Sequence, residues 1–228
     1  MHIYETHMHT STVSACAIST PAEQVRAYKR RGYTGIIVTD HFINGNAHST
    51  GRMPWAAQMK FFVSGYEKAK AEAEKQGLDV FLGWEYSIKG ADFLTYGLDL
   101  EFLLAHPKVA TLTIQEYSKL VRKNNGYIAQ AHPFRKGFWI ETPHPVAPEL
   151  LDGIEVYNSG MHPEINRKAY NFAKKHNIPM QAGSDSHEAD CCNPSGIILK
   201  KRAESIHDII NALKSNQVEM FLPKGFFS

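Results

Sequence analysis

Cysteine is scarce in this chain. Three thiols among 228 residues, two of them adjacent (Cys191 and Cys192), cannot build a disulfide framework. No stretch approaches the ~18 consecutive apolar residues of a membrane span. The segment Met1-His2-Ile3-Tyr4-Glu5 lacks the positive patch and long apolar core of a secretory signal. The cytoplasm is therefore the expected compartment, and no membrane partner is expected. An excess of charge of either sign is missing too: 25 Lys and Arg against 23 Asp and Glu leave +2, too mild to argue for a nucleic-acid surface. Low-complexity tracts, internal repeats and interdomain linkers are absent, so one domain over residues 1–228 is expected. No Gly-rich phosphate loop ending in Gly-Lys, HExxH helix, CxxC pair or GxSxG elbow occurs. A side-chain nucleophile is thus less expected than a water activated by metal.

Histidine is what the chain has in quantity, with twelve copies. Together with carboxylates they follow short apolar or β-branched runs: His7-Met8-His9, Asp40-His41, Glu85, His132-Pro133 and Asp185-Ser186-His187. Strands are expected at about residues 3–6, 35–39, 78–84, 93–96, 127–131, 153–157, 178–182, 197–199 and 218–222. Helices fill much of the space between them. Thr20-Pro21 and the Thr-Ile-Gln-Glu of residues 113–116 mark two helix starts. Strands alternating with helices imply a mainly parallel sheet, and about seven such units favour a closed barrel. The C-terminal strand ends of a barrel converge on one face, so residues far apart in sequence can surround one small volume.

Imidazole with carboxylate is the donor set of zinc, iron and manganese. Residues i and i+2 of a strand share a side, so His7 and His9 can aim at one ion, as can Asp185 and His187. Glu85 has two oxygens and can bridge two cations. Two metals ~3.5–4 Å apart can clamp a phosphoryl group and acidify a water.

The series Thr6-His7-Met8-His9-Thr10-Ser11, Thr39-Asp40-His41, Gly83-Trp84-Glu85, Ala131-His132-Pro133 and Gly183-Ser184-Asp185-Ser186-His187 resembles, in order, the PHP (polymerase and histidinol phosphatase) family. The resemblance implies a distorted (β/α)7 barrel and a site of two or three divalent metal ions hydrolysing phosphate esters. His7, His9, Glu85 and Asp185 would hold one metal. Glu85 would bridge to a second that also takes His132, and His41 and His187 would bind a third. The chain departs from the family pattern twice. Asp92 stands where many members have a histidine, either as a ligand favouring harder metals or as an ordinary turn residue. Cys16 stands near where many members have a His or Asp, either as a thiolate ligand or as a small buried thiol.

Arg135 is placed to grip a phosphate. Asp40 is a candidate to orient an imidazole, and Glu155 and Asn158 are candidates to support the ligands or touch substrate. Phe138 and Trp139 could wall a pocket or pack their loop. With Glu85, Arg135 and Asp40 as the catalytic set, the expected activity is hydrolysis of a small phosphomonoester. The alternatives are a phosphodiesterase or nuclease on the same site, amide or lactone hydrolysis, and a non-catalytic metal-binding module. The expected partner is a small phosphorylated substrate, and the oligomeric state is open.

Overall fold

A computed structural model describes residues 1–138, 140, 144–190, 193–223 and 225–226. Trp139, Cys191 and Cys192 lie outside them. The strands are β1 (His2–Met8), β2 (Gly35–Val38), β3 (Asp79–Ile88), β4 (Ala91–Tyr96), β5 (Tyr127–Gln130), β6 (Gly153–Asn158), β7 (Met180–Gly183), β8 (Gly196–Leu199) and β9 (Glu219–Phe221). The α-helices are α1 (Pro21–Arg30), α2 (Trp55–Gln76), α3 (Leu100–Ala105), α4 (Ile114–Lys123), α5 (Pro163–His176) and α6 (Ile206–Lys214). Helix starts follow local chemistry. Thr20 and Thr113 each close a capping box with the glutamate three residues on, satisfying amides that the first helical turn leaves unpaired.

One nine-stranded sheet runs β7-β6-β5-β4-β3-β2-β1-β8-β9. Strands β1, β2 and β3 are parallel, as are β5, β6 and β7. Between these triplets β4 runs antiparallel to both neighbours. The sheet curls until its ends meet: Met8 and Ser186 form a parallel bridge, His9 N donates to Ser186 O at 2.9 Å, and Thr6 Oγ1 donates to Ala182 O at 2.8 Å. This is the expected distorted barrel, nearly closed, with β8 and β9 splayed antiparallel off the first half of β1.

The strands are wrapped on both sides. Every residue of β2 and β6 is buried, as parallel strands under helices require. Trp84, Tyr86 and Phe93 pack outward beneath α2, α3 and α4. Inside, Tyr96 stacks on Tyr127 with ring centres 5.5 Å apart, and Gln181 Nε2 donates to Tyr96 OH. Gly83 leaves room for this floor, because a Cβ there would meet Tyr96 and Ile37 at 2.8 and 2.9 Å. The barrel is thus filled below, and its functional groups collect above the floor.

Two sequence expectations change here. Glu85 does not end its strand: β3 continues three residues further and turns directly into β4. Since β4 runs backwards, its first residues, Asp92 among them, reach the same rim as the ends of the parallel strands. Nor do Asp185 and His187 share a strand face. β7 stops at Gly183, and Asp185 adopts left-handed backbone at φ 55°.

Candidate metal centre

At the rim, β1 delivers His7 and then His9, fully buried in the middle of the cluster. Their Nε2 atoms lie 3.1 Å apart. The other ring nitrogens fix how this contact must be read. His7 Nδ1 sits 3.0 Å from Glu155 Oε1, a carboxylate oxygen that can only accept, so the ring donates there and its Nε2 carries the lone pair.

His9 Nδ1 lies 3.0 Å from Ser14 Oγ, whose single proton goes to Asp40 Oδ1 at 2.8 Å. The hydroxyl also accepts His41 N–H at 3.0 Å, so its remaining lone pair takes the His9 proton. The relay Asp40–Ser14–His9 therefore presents His9 Nε2 as a base. Two imidazole lone pairs 3.1 Å apart need a cation between or beside them, a proton or a metal.

Glu85 spans the cluster. Its Oε1 lies 3.0 Å from His132 Nε2 and 3.4 Å from His7 Nε2. Its Oε2 lies 2.8 Å from His41 Nδ1 and 3.5 Å from His9 Nε2. Asp185 Oδ1 completes the inner ring at 3.2 Å from His9 and 3.3 Å from His7. Although 2.8 Å apart, His41 Nδ1 and Glu85 Oε2 make no aligned hydrogen bond. Both are buried polar atoms without such a partner among the described residues, which is unusual in a folded interior. Converging donors without hydrogen-bond geometry are what a metal centre requires. The donor atoms fall into three groups, each within 4.8 Å: His7, His9 and Asp185; His7, Glu85 and His132; and His9, His41 and His187. They overlap the expected sets without repeating them: Glu85 is missing from the first group, His7 joins the second and His9 joins the third. Histidine with carboxylate is a donor set that suits zinc, iron or manganese.

The electrostatics agree with that reading. Burial pushes His7 down, but Asp185, Glu155 and Glu85 outweigh it and hold the ring well above its ordinary value. Burial pushes Glu85 up, and His41 with His7 overcomes it and holds the carboxyl well below the usual range. Asp185 follows Glu85, with burial outweighed mainly by His7. His9 is driven down to about 3 by burial and by the neighbouring His41. Such displaced titrations concentrate at functional sites.

The remaining candidates divide. Asp40 faces no ring directly: it accepts from Thr10 N, Thr10 Oγ1 and Ser14, and so positions His9 at one remove. Asp92 is no turn residue, since it lies within β4 and is buried. It belongs to none of the three groups; its carboxylate accepts from Arg135 and from Ser87, with His132 Nε2 3.9 Å away. Arg135 is accordingly held by Asp92, with a quarter of its side chain open to solvent. Cys16 is exposed, which removes the buried-thiol alternative, and its Sγ lies 3.1 Å from His187 Nε2. Partial desolvation by its neighbours raises this thiol, but hydrogen bonding to His187 and His41 outweighs it and brings it down to about 6.

Ser14, Glu5 and Tyr28 escaped the sequence reading. Glu5 is wholly buried and accepts from three backbone amides, Thr6, His7 and Ser184, with Tyr28 OH on its second oxygen. Its place two residues before His7 was the available signal. His132 and Asp185, both with positive φ, hold uncommon backbone for residues other than glycine. Such strain gathers where a site dictates side-chain direction.

Comparison with known proteins adds to this geometry. The family model described as PHP-associated matches residues 163–218, about a quarter of the chain, including Asp185 and His187. The fold superposes on a two-domain protein from Bacteroides vulgatus that contains a PHP-like metal-dependent phosphoesterase, with TM-score 0.71 and 16% identity, covering 97% of this chain and 64% of that one. The fold is PHP-like. The chain also resembles a protein from Bifidobacterium adolescentis assigned as a metal-dependent phosphoesterase (TM-score 0.58, 16% identity, covering 93% and 95%). It resembles the lesion-specific endonuclease EndoQ from Pyrococcus furiosus as well (TM-score 0.63, 15% identity, covering 97% of this chain and 58% of that one). It thus spans less than two thirds of the Bacteroides and Pyrococcus proteins. No curated protein matches it in sequence. No helix among the described residues is long and apolar enough to cross a membrane.

Proposed function

We propose that this chain is a metal-dependent phosphoesterase that hydrolyses a small phosphomonoester. The observation that carries the proposal is Glu85, with each carboxylate oxygen turned to a different set of imidazoles. Divalent cations held by His7, His9, His132 and Asp185, with Glu85 shared between them, would polarise a phosphoryl group and acidify water. The chain's own groups supply the rest. Glu155 and the Asp40–Ser14 pair keep the His7 and His9 lone pairs aimed inward. Arg135, partly open to solvent, offers a guanidinium donor at the edge and is oriented by Asp92.

The cluster opens toward Asp185, His187 and Cys16, whereas His7 and His9 are sealed beneath, so substrate would approach from the Cys16 side. A cavity of about 830 Å³ lies elsewhere, between the β8–α6 segment and β9, and carries none of the clustered histidines. The chemistry, and not the cavity size, locates the site.

A second reading, phosphodiester cleavage, has one specific support in the fold shared with the Pyrococcus endonuclease. Purified protein reloaded with zinc, iron or manganese and assayed on matched phosphomonoesters and diesters, single-stranded DNA included, separates the two. Release of inorganic phosphate from monoesters is expected. Diester cleavage alone would replace the first reading with the second, and inactivity on every substrate despite bound metal would overturn both.

A further inference from the structure

We propose that Cys16 is a thiolate ligand, and that with His41 and His187 it makes the outer end of the centre selective for a thiophilic divalent cation such as zinc. The inner end, richer in carboxylate, would favour a harder ion. This rests on the metal-centre reading above and assigns its two ends to different classes of metal.

Three observations carry it. The first concerns His187, whose Nδ1 lies 2.8 Å from Asp185 O, a carbonyl that only accepts. The proton therefore sits on Nδ1, and the Nε2 lone pair faces Cys16 Sγ at 3.1 Å. The second is His41, nine-tenths buried, which shares a donor group with His9 and His187 and so stands beside the imidazole that Cys16 faces, while its Nδ1 turns to Glu85 without an aligned hydrogen-bond partner among the described residues. The third is that the loop carrying Cys16 is built in place. Ala15 N donates to Asn46 O at 2.8 Å, Ser14 bridges Ala47, and Ile18 N donates to the carbonyl of His187 itself at 2.8 Å. The thiol and the imidazole facing it are thereby tied through their backbones.

The donors differ from end to end. The outer position combines sulfur with imidazole, a pairing that suits zinc and cobalt. The inner position adds the oxygens of Glu85 and Asp185, which suit manganese or iron as well. A chain with an oxygen donor at residue 16 would not make this distinction.

The test titrates the metal-free, full-length protein with cobalt(II) alone and follows the near-ultraviolet thiolate-to-cobalt charge-transfer band. The band should saturate at one cobalt per chain, vanish in Cys16→Ser with one fewer cobalt bound, and persist in a Cys191→Ser/Cys192→Ser double variant. Iodoacetamide should label Cys16 readily in the metal-free wild type. Zinc should slow that labelling roughly tenfold or more, since the thiolate is both nucleophile and ligand; this arm needs no variant to fold. Cobalt binding without the band, an unchanged band in Cys16→Ser, or labelling unaffected by zinc would each overturn the assignment. If phosphate release persists alongside such a result, the thiolate ligand alone is wrong. A thiolate band in a protein without phosphatase activity would leave the ligand standing and sink the phosphoesterase.

Discussion

Ser14 decides which nitrogen of His9 is basic, because its hydroxyl gives one proton to Asp40 and accepts two, from His9 and from His41 N. Ser14→Ala should weaken metal affinity by roughly 10–100-fold, the usual cost of losing a group that orients a ligand. Competition with a chromophoric chelator measures it, and unchanged affinity would refute the relay. Glu85→Gln should empty more than one position, because one carboxylate serves both sides; elemental analysis that finds a single ion lost would exclude the bridge.

Glu5 supplies a pH signature. Burial, only partly offset by Ser184, His7 and Tyr28, raises it from 4.5 to about 7. Between those values the folded chain keeps a proton that the unfolded chain has released, so stability falls as pH rises through the window. Melting curves of metal-free Glu5→Gln across it should be flatter than those of wild type, by roughly 3 kcal/mol in total. Parallel profiles would show that Glu5 does not titrate there.

At the scale of elements, spacing and punctuation in the sequence marked every strand among the described residues and the starts of α1 and α4. Thr20-Pro21 and Thr113 open helices because the capping chemistry is local, and β2 reads as a strand because its Gly-Ile-Ile-Val run is buried on both sides. Relations between elements were harder to read. Nothing in residues 91–96 says that they run backwards, since pairing partners and direction are settled by the hairpin with β3. The Asp92–Arg135 pair was hidden for the same reason: it joins side chains from β4 and from the segment beyond β5, which meet only in the closed sheet. The convergence of the candidate ligands, by contrast, was legible, because His7, His9, Glu85, His132 and Asp185 each lie at or near the end of a recognisable run.

Strand β7 also carries a spacing constraint. A Cβ on Gly183 would stand 2.6 Å from His7 Cβ and 2.8 Å from Glu155 Oε1, so Gly183→Ala must displace the pair that aims His7. Metal content and activity should fall together while circular dichroism stays near wild type. Full metal content in this variant would mean that β7 can shift without consequence.

For the molecule as a whole, the candidate ligands come from β1, the segment after β2, β3, the segment after β5 and the segment after β7, so they meet only when the sheet is curled. Ions bound by the folded chain alone stabilise it by about 2.7 kcal/mol when present at a hundred times their dissociation constant. For a chain of this length that is roughly 5–10 °C in Tm. Stripping metal with a chelator should lower Tm by that much, and re-adding it should restore the loss. A melting point indifferent to chelation would mean that the ions contribute nothing to holding the fold.

The seam between β1 and β7 has a further consequence in time. Ser184 N reaches Glu5 Oε1 across 179 residues of chain, and the candidate ligands His7 and His9 face Asp185 across the same join. Closing so long a loop costs entropy that no local contact returns. An ion held from both sides would act as a rivet at the join. On the ribosome the first histidines must wait, with their lone pairs unclaimed, until almost the whole barrel has been made. The cluster is completed only when the join closes, and it is undone if the join opens.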